Sequence, residues 1–204
     1  MALILHTHPK SRGRIVRWML EECGADYETR LLEYGPDMQS AAYRQINPMG
    51  KVPAIEHDGQ TVTECAAICT YLADAFPKAG LAPPPAQRGA YYRWLFFAAG
   101  PLEAAITNQA LGVTLSPEQQ GFVGYGSLER ALDTLESALA NRDFIAADAF
   151  SAADLYVGSQ IGFGLQFNTI EPRPAFTRYW GRISEREACA RATALDDQLL
   201  AEAS

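Results

Sequence analysis

Residues 47–76, NPMGKVPAIEHDGQTVTECAAICTYLADAF, decide the fold. Val52, Ala54 and Ile55 read as a buried strand. Asp58-Gly59 is a hairpin turn into a second strand over 60–64. Cys65, Ile68, Cys69, Leu72 and Phe76 then recur at helical spacing, and Pro77 ends the run. Pro53 is out of place, because a central strand seldom holds a residue that removes a ladder donor. There are two readings. If the Val52–Pro53 peptide is cis, the chain turns sharply and the Val52 N–H and C=O point away from the sheet, where an extended peptide can dock by β-augmentation. If it is trans, the segment is an edge strand with no ligand.

Working outward, LILHTH (3–8) is a short β-rich run, punctuated by Pro9 and Gly13. RIVRWMLEECG (14–24) carries a helical apolar stripe that stops at Gly24. DYETRLLE (26–33) reads as a strand, and PDMQSAAYRQI (36–46) as a helix with Pro36 at its mouth. The order βαβαββα implies an α/β unit, a mixed sheet with helices on its faces. PKAGLAPPPAQ (77–87) is a semi-rigid, proline-rich linker. After it no strand is convincing. Residues 88–111 read as a long apolar helix bent near Gly100-Pro101. Ser116-Pro117-Glu118-Gln119 looks like a helix start. Leu128, Leu132, Leu135 and Leu139 mark one buried face. Ser151 to Asp154 opens another helix, with Phe150 and Leu155 as a staple, and 175–186 is another. The expected organisation is an α/β domain over 1–76, a linker over 77–87 and an all-α domain over 88–204.

A net charge of −7 on 204 residues argues against general nucleic-acid or anionic-membrane binding. The four cysteines (Cys23, Cys65, Cys69, Cys189) have no metal-ligand spacing and read as buried thiols. No apolar stretch approaches the ~18 residues of a membrane span, and the N-terminal run is too short for a signal peptide. The cytoplasm is the expected compartment. His6 and His8 have no third ligand at useful spacing, so no metal site is expected.

Two further motifs carry chemistry. In VTEC (62–65), Glu64 and Cys65 stand where the hairpin becomes a helix, whose N-terminus favours carboxylates, while Glu64 suits an ammonium. An amino-acid head group carries both charges. In HPKSRGR (8–14), Ser11 is placed either to cap the first helix or to donate from its hydroxyl to a thiol. Such a donor, beside the helix dipole, favours the thiolate over a thiol whose free pKa is about 8.5.

NPMGKVPAI, TECAAICTYLADAFP, FSAADL and SRGRIVRWMLEECG, in this order and around a proline linker, resemble the cytosolic glutathione S-transferase family, in its bacterial type with a serine-like site. The resemblance covers nearly the whole chain. It implies a thioredoxin-like N-terminal domain and a cis proline at Pro53, with Val52 pairing with the cysteinyl backbone of glutathione. It implies that Glu64 and Cys65 take the γ-glutamyl head, with Lys51 near a glutathione carboxylate. Glutathione is then a co-substrate, with no other cofactor, its thiolate attacks an apolar electrophile, and the protein is a homodimeric detoxification enzyme. The family usually has serine where this chain has Cys65. A thiol is a weak donor, but the Cys65 backbone N–H remains. Family members use Tyr, Ser or Cys near the first strand–helix junction, and residues 1–22 contain neither Tyr nor Cys. Thr7, Ser11 and the backbone N–H groups or guanidinium of Arg12 remain, with Ser11 the expected catalytic residue. A glutathione-dependent peroxidase or reductase, and a non-catalytic glutathione-binding regulatory protein, are the competing functions.

Overall fold

Leu3–Thr7 forms β1, buried along most of its length, as the middle of a sheet demands. The computed structural model describes residues 2–202. β1 pairs in parallel with β2 (Tyr27–Leu31), Leu3 opposite Tyr27. It pairs antiparallel with β3 (Ala54–His57), Leu5 opposite Ile55. β3 turns into β4 (Gln60–Thr63) through Asp58 at φ 49° and Gly59 at φ 77°, the positive pair that a tight hairpin of right-handed twist requires. The four-stranded sheet runs β2-β1-β3-β4 and is mixed, as expected.

α1 (Gly13–Cys23) buries Ile15, Val16, Trp18, Met19 and Leu20 and ends at Gly24, left-handed at φ 60°. The helix expected over 36–46 begins only at Ala41. Ser40, not Pro36, is its cap, accepting from the Tyr43 N–H at 3.2 Å. The Asp37 carboxylate takes the Glu33 N–H instead and holds the preceding residues in a turn. This short α2 (Ala41–Ile46) leads to β3, and α3 (Cys65–Ala75) follows β4 and packs on α1.

The proline-rich stretch contains two 3₁₀ turns, Pro77–Ala79 and Pro85–Gln87. α4 (Gly89–Phe97) follows. Pro101 has no N–H to give, and the helix absorbs it in a wider π turn, Ala98–Leu102, before α5 (Glu103–Ala110). The expected box at Ser116 forms, with Ser116 Oγ accepting from Gln119 N–H at 3.2 Å and Gln119 Oε1 from Ser116 N–H at 2.8 Å. Only a single turn, Gln119–Gly121, grows from it. Gly121 ends it, Gly124 and Gly126 lie just beyond, and the backbone freedom of glycine works against propagation. α6 (Leu128–Leu139) starts afresh at Ser127, whose Oγ accepts from Arg130 N–H, and buries Leu132, Leu135 and Leu139. α7 (Ala152–Gln166) is buried almost throughout, and α8 (Pro174–Ser184) and α9 (Glu187–Glu202) complete the chain.

The chain divides into two units. One runs up to Leu81 and includes the segment from Glu185 onward; the other is Ala82–Ser184. α9 was expected with the helical unit. It lies instead antiparallel on α1, buries Ala188, Cys189 and Ala192, and ion-pairs along it: Arg14 with Asp197, Arg17 with Asp196, Glu21 with Arg191 and Glu22 with Arg186.

Candidate active site

Three segments converge at one end of the sheet in the first unit. Ala54, at the start of β3, stands opposite His6 on β1 and Thr63 on β4. Pro53, the loop after β1 and Glu64 after β4 therefore share that end.

The Val52–Pro53 peptide is cis, the first of the two alternatives that the sequence posed. Pro53 is buried and Val52 half-buried. The ladder begins only at Ala54, and among the described residues none accepts from the Val52 N–H or donates to its C=O. Lys51 is exposed, and its carbonyl accepts from Tyr43 Oη at 2.6 Å and Asn47 Nδ2 at 2.8 Å.

Glu64 precedes α3 with an exposed side chain and a backbone at φ 66°, ψ 113°. A non-glycine residue held there costs on the order of 1–3 kcal/mol, the kind of strain that collects at ligand sites. Nothing in the sequence signals it. Ile68 N–H donates back to Glu64 O at 2.9 Å, but no described residue accepts from the N–H of Cys65, Ala66 or Ala67. The positive end of α3 is open. Cys65 itself turns inward: it is buried and its thiol donates to Arg12 O at 3.7 Å. A hydrogen bond with Cys65, together with burial, pushes the Cys69 thiol up. All four cysteines are free thiols.

The start of α1 is closed by contrast. Ser11 Oγ accepts from Gly13 N–H at 2.9 Å and donates to His8 O at 2.6 Å, and Ser11 N–H donates to the same carbonyl at 3.0 Å. Arg14 N–H goes to Ser11 O and Ile15 N–H to Arg12 O. Arg12, exposed and helical in backbone, occupies the cap position. Thr7 is fully buried. His8 braces the loop: its Nδ1 accepts from Lys10 N–H, which leaves the proton on Nε2, 3.7 Å from Glu33.

Sequence reasoning missed Tyr34. Leu32 N–H donates to Thr7 O, so the segment after β2 runs beside the end of β1. Tyr34 Oη then reaches Lys10 O at 3.3 Å, with its ring 4.6 Å from His8. No local signal marks it, because the parallel pairing brings it there. His6 pairs with Glu56 at 2.8 Å.

Gly13 is required by close approach. A Cβ there would lie 1.8 Å from Thr7 Oγ1 and 3.0 Å from Thr7 Cβ. Gly13→Ala is expected to cost about 1–3 kcal/mol through overpacking. Adding Thr7→Ala removes the worse overlap and should recover part of the loss in urea denaturation.

The chain is similar to known proteins over most of its length. Residues 12–75 match the family model "Glutathione S-transferase, N-terminal domain", and residues 124–187 match "Glutathione S-transferase, C-terminal domain". The chain is 32% identical to glutathione S-transferase GstA of Escherichia coli O157:H7, over 82% of this chain and 85% of that one. It is 28% identical to glutathione S-transferase 3 of Schizosaccharomyces pombe, over 92% and 85%. A sphingomonad glutathione S-transferase solved in complex with glutathione superposes with a TM-score of 0.75 at 30% identity, covering 95% of this chain and 98% of that one. The chain belongs to the glutathione S-transferase family.

Proposed function

We propose that this protein is a glutathione transferase that docks the tripeptide on Val52 and α3 and activates its thiol at Ser11. One observation carries the reading. The backbone groups of Val52 and the N–H groups of Cys65 to Ala67, unpartnered among the described residues, lie at the same end of one sheet, the first suited to an extended peptide and the second to an anionic head. Val52 exchanges backbone hydrogen bonds with the cysteinyl unit. The γ-glutamyl carboxylate takes the first-turn amides of α3, and Glu64 takes the ammonium. Lys51 meets a glutathione carboxylate. Cys65 contributes its N–H, because its thiol is directed at Arg12 O.

Ser11 has to turn its hydroxyl from His8 O to the sulfur. His8 O keeps the Ser11 N–H, so the turn leaves no orphaned carbonyl. The thiol proton passes to water, and the thiolate forms a sulfur–carbon bond to an apolar electrophile, either displacing a leaving group that departs with the carbon's bonding pair or adding to an activated double bond whose carbanion takes a proton from water. We place the enzyme in the cytoplasm as a homodimer acting in detoxification, with glutathione as co-substrate and no resident cofactor.

The test is the thiolate absorbance of bound glutathione against pH. The wild type should titrate below the free thiol. Ser11→Ala should raise that value by about one to two pH units, the loss of a hydrogen bond to a charged group worth roughly 1.5–3 kcal/mol. The Ser11–His8 bond favours a second reading, a glutathione-binding protein without turnover. An ordinary thiol pKa in bound glutathione would select it. A disulfide reductase is disfavoured by the absence of cysteine from residues 8–14, whereas a peroxidase would use the same Ser11-assisted glutathione thiolate.

A further inference from the structure

We propose that Tyr43 is a positioning residue for glutathione, setting the aim of the Val52 N–H through the Lys51 carbonyl without touching the peptide. The proposal rests on the reading of Val52 as the docking residue.

The Lys51 C=O and the Val52 N–H belong to one planar peptide unit and point in opposite directions. Whatever fixes the carbonyl fixes the amide. Two donors converge on that oxygen, Tyr43 Oη at 2.6 Å and Asn47 Nδ2 at 2.8 Å, both from α2 or the residue that ends it. With the oxygen drawn toward α2, the N–H faces away from it, as a docking amide must. Donation to the carbonyl also polarises the peptide unit and strengthens its N–H as a donor.

The donors are themselves held. Tyr43 is 3% exposed, and its ring lies 5.6 Å from that of His6, which is pinned by Glu56. Asn47 N–H donates to Tyr43 O, Asn47 Oδ1 accepts from Met49 N–H, and Asn47 O accepts from Gly50 N–H. Burial pushes the Tyr43 hydroxyl up to about 12, so it is a donor across any working pH. Gly50, at φ 59°, leaves no room for a side chain: a Cβ would lie 2.7 Å from Met38 O. Lys51 and Val52 are thus the last links of a loop fixed from one side.

Tyr43→Phe keeps the ring and removes one donor. The plane is then held by Asn47 alone. The dissociation constant for glutathione should rise about three- to tenfold, the range for one neutral hydrogen bond. S-methylglutathione, which has the same backbone and no thiol, should weaken by the same factor. The saturating kcat, the KM for the electrophile and the pKa of the bound thiol should not move. Ser11→Ala should show the reverse pattern. A mere loss of stability would shrink the active fraction and lower the apparent kcat, leaving KM for glutathione alone. If Tyr43→Phe binds S-methylglutathione like the wild type while Glu64→Ala weakens it, the clamp is wrong and the docking reading stands. If the wild type binds neither peptide, the docking reading falls and the clamp with it. A raised thiol pKa in Tyr43→Phe would make the residue part of the chemistry and overturn its role as a positioner.

Discussion

Asp196→Ala is expected to destabilise the protein by about 3–5 kcal/mol, the cost of leaving a buried charge without its partner. Arg17 is 2% exposed and Asp196 fully buried, with Arg17 Nε donating to Asp196 Oδ1 at 2.9 Å. Tyr27 Oη and Thr29 Oγ1 accept from Arg17 Nη1, but Arg17 Nη2 and Asp196 Oδ2 have no partner among the described residues. A pair joined by one hydrogen bond recovers little of its desolvation. Burial accordingly raises the Asp196 carboxyl above its usual value, although the Arg17 charge and hydrogen bond pull it down. The sign follows. A carboxyl that holds its proton more tightly when folded contributes stability that is present below the ordinary carboxylate value. That contribution is lost as pH rises through the folded value. Arg17→Met with Asp196→Leu should therefore be neutral or stabilising at pH 7, with its advantage shrinking toward pH 4. Urea midpoints of the wild type, the single variant and the double variant check all three statements. A single variant as stable as the wild type would mean that Arg17 reaches water when unpaired. Function is tied to the same contact, because Arg14, beside Arg17 on α1, pairs with Asp197 and donates to Pro9 O at 2.6 Å. Loosening α9 loosens the loop that holds Ser11.

What the sequence disclosed was what depends on near neighbours. Asp58-Gly59 gave the hairpin because two positive φ values in succession suit few other pairs. Val52-Pro53 posed the right alternative for the same reason: the anomaly is local. The Ser116 box shows the limit of that logic. The cap formed as written, yet its helix failed, since a cap offsets only the cost of an end, and the glycines beyond it favour other conformations. The placement of α9 was illegible, because residues 186–197 meet residues 14–22 through pairs that no periodicity encodes. Tyr34 and the inward turn of Cys65 belong to the same class. Each is fixed by a carbonyl of the loop after β1, at Lys10 and at Arg12. The positive φ of Glu64 has no sequence marker at all, since glutamate has no preference for it.

Asp154→Ala is the counterpart in the second unit, expected to cost about 3–5 kcal/mol because several buried donors lose their acceptor at once. Asp154 is fully buried at the start of α7. One carboxylate oxygen accepts from Ile145 N–H at 2.6 Å and Tyr179 Oη at 2.7 Å; the other accepts from Ser151 N–H at 2.9 Å and Ser151 Oγ at 2.8 Å. This group therefore does more than cap α7: it ties the segment before the helix and the middle of α8 to its first turn. Phe150 and Leu155, which flank the same turn, are both buried. Burial raises the carboxyl, and hydrogen bonds from Tyr179, Ile145 and Ser151 draw it back. Tyr179 is pushed up by its own burial and by the Asp154 charge, so it stays a donor. Asp154→Asn separates the two oxygens. It keeps an acceptor for Ile145 and Tyr179 but sets an amide against the Ser151 N–H, and should fall between alanine and the wild type. Tyr179→Phe removes one donor and leaves the rest satisfied, for about 1 kcal/mol. The order Tyr179→Phe, Asp154→Asn, Asp154→Ala in urea midpoint, with hydrogen exchange at Ile145 accelerating in the alanine variant first, tests whether one carboxylate organises this end of the helical unit. Equal losses in all three would assign the stability to packing around Phe150 instead.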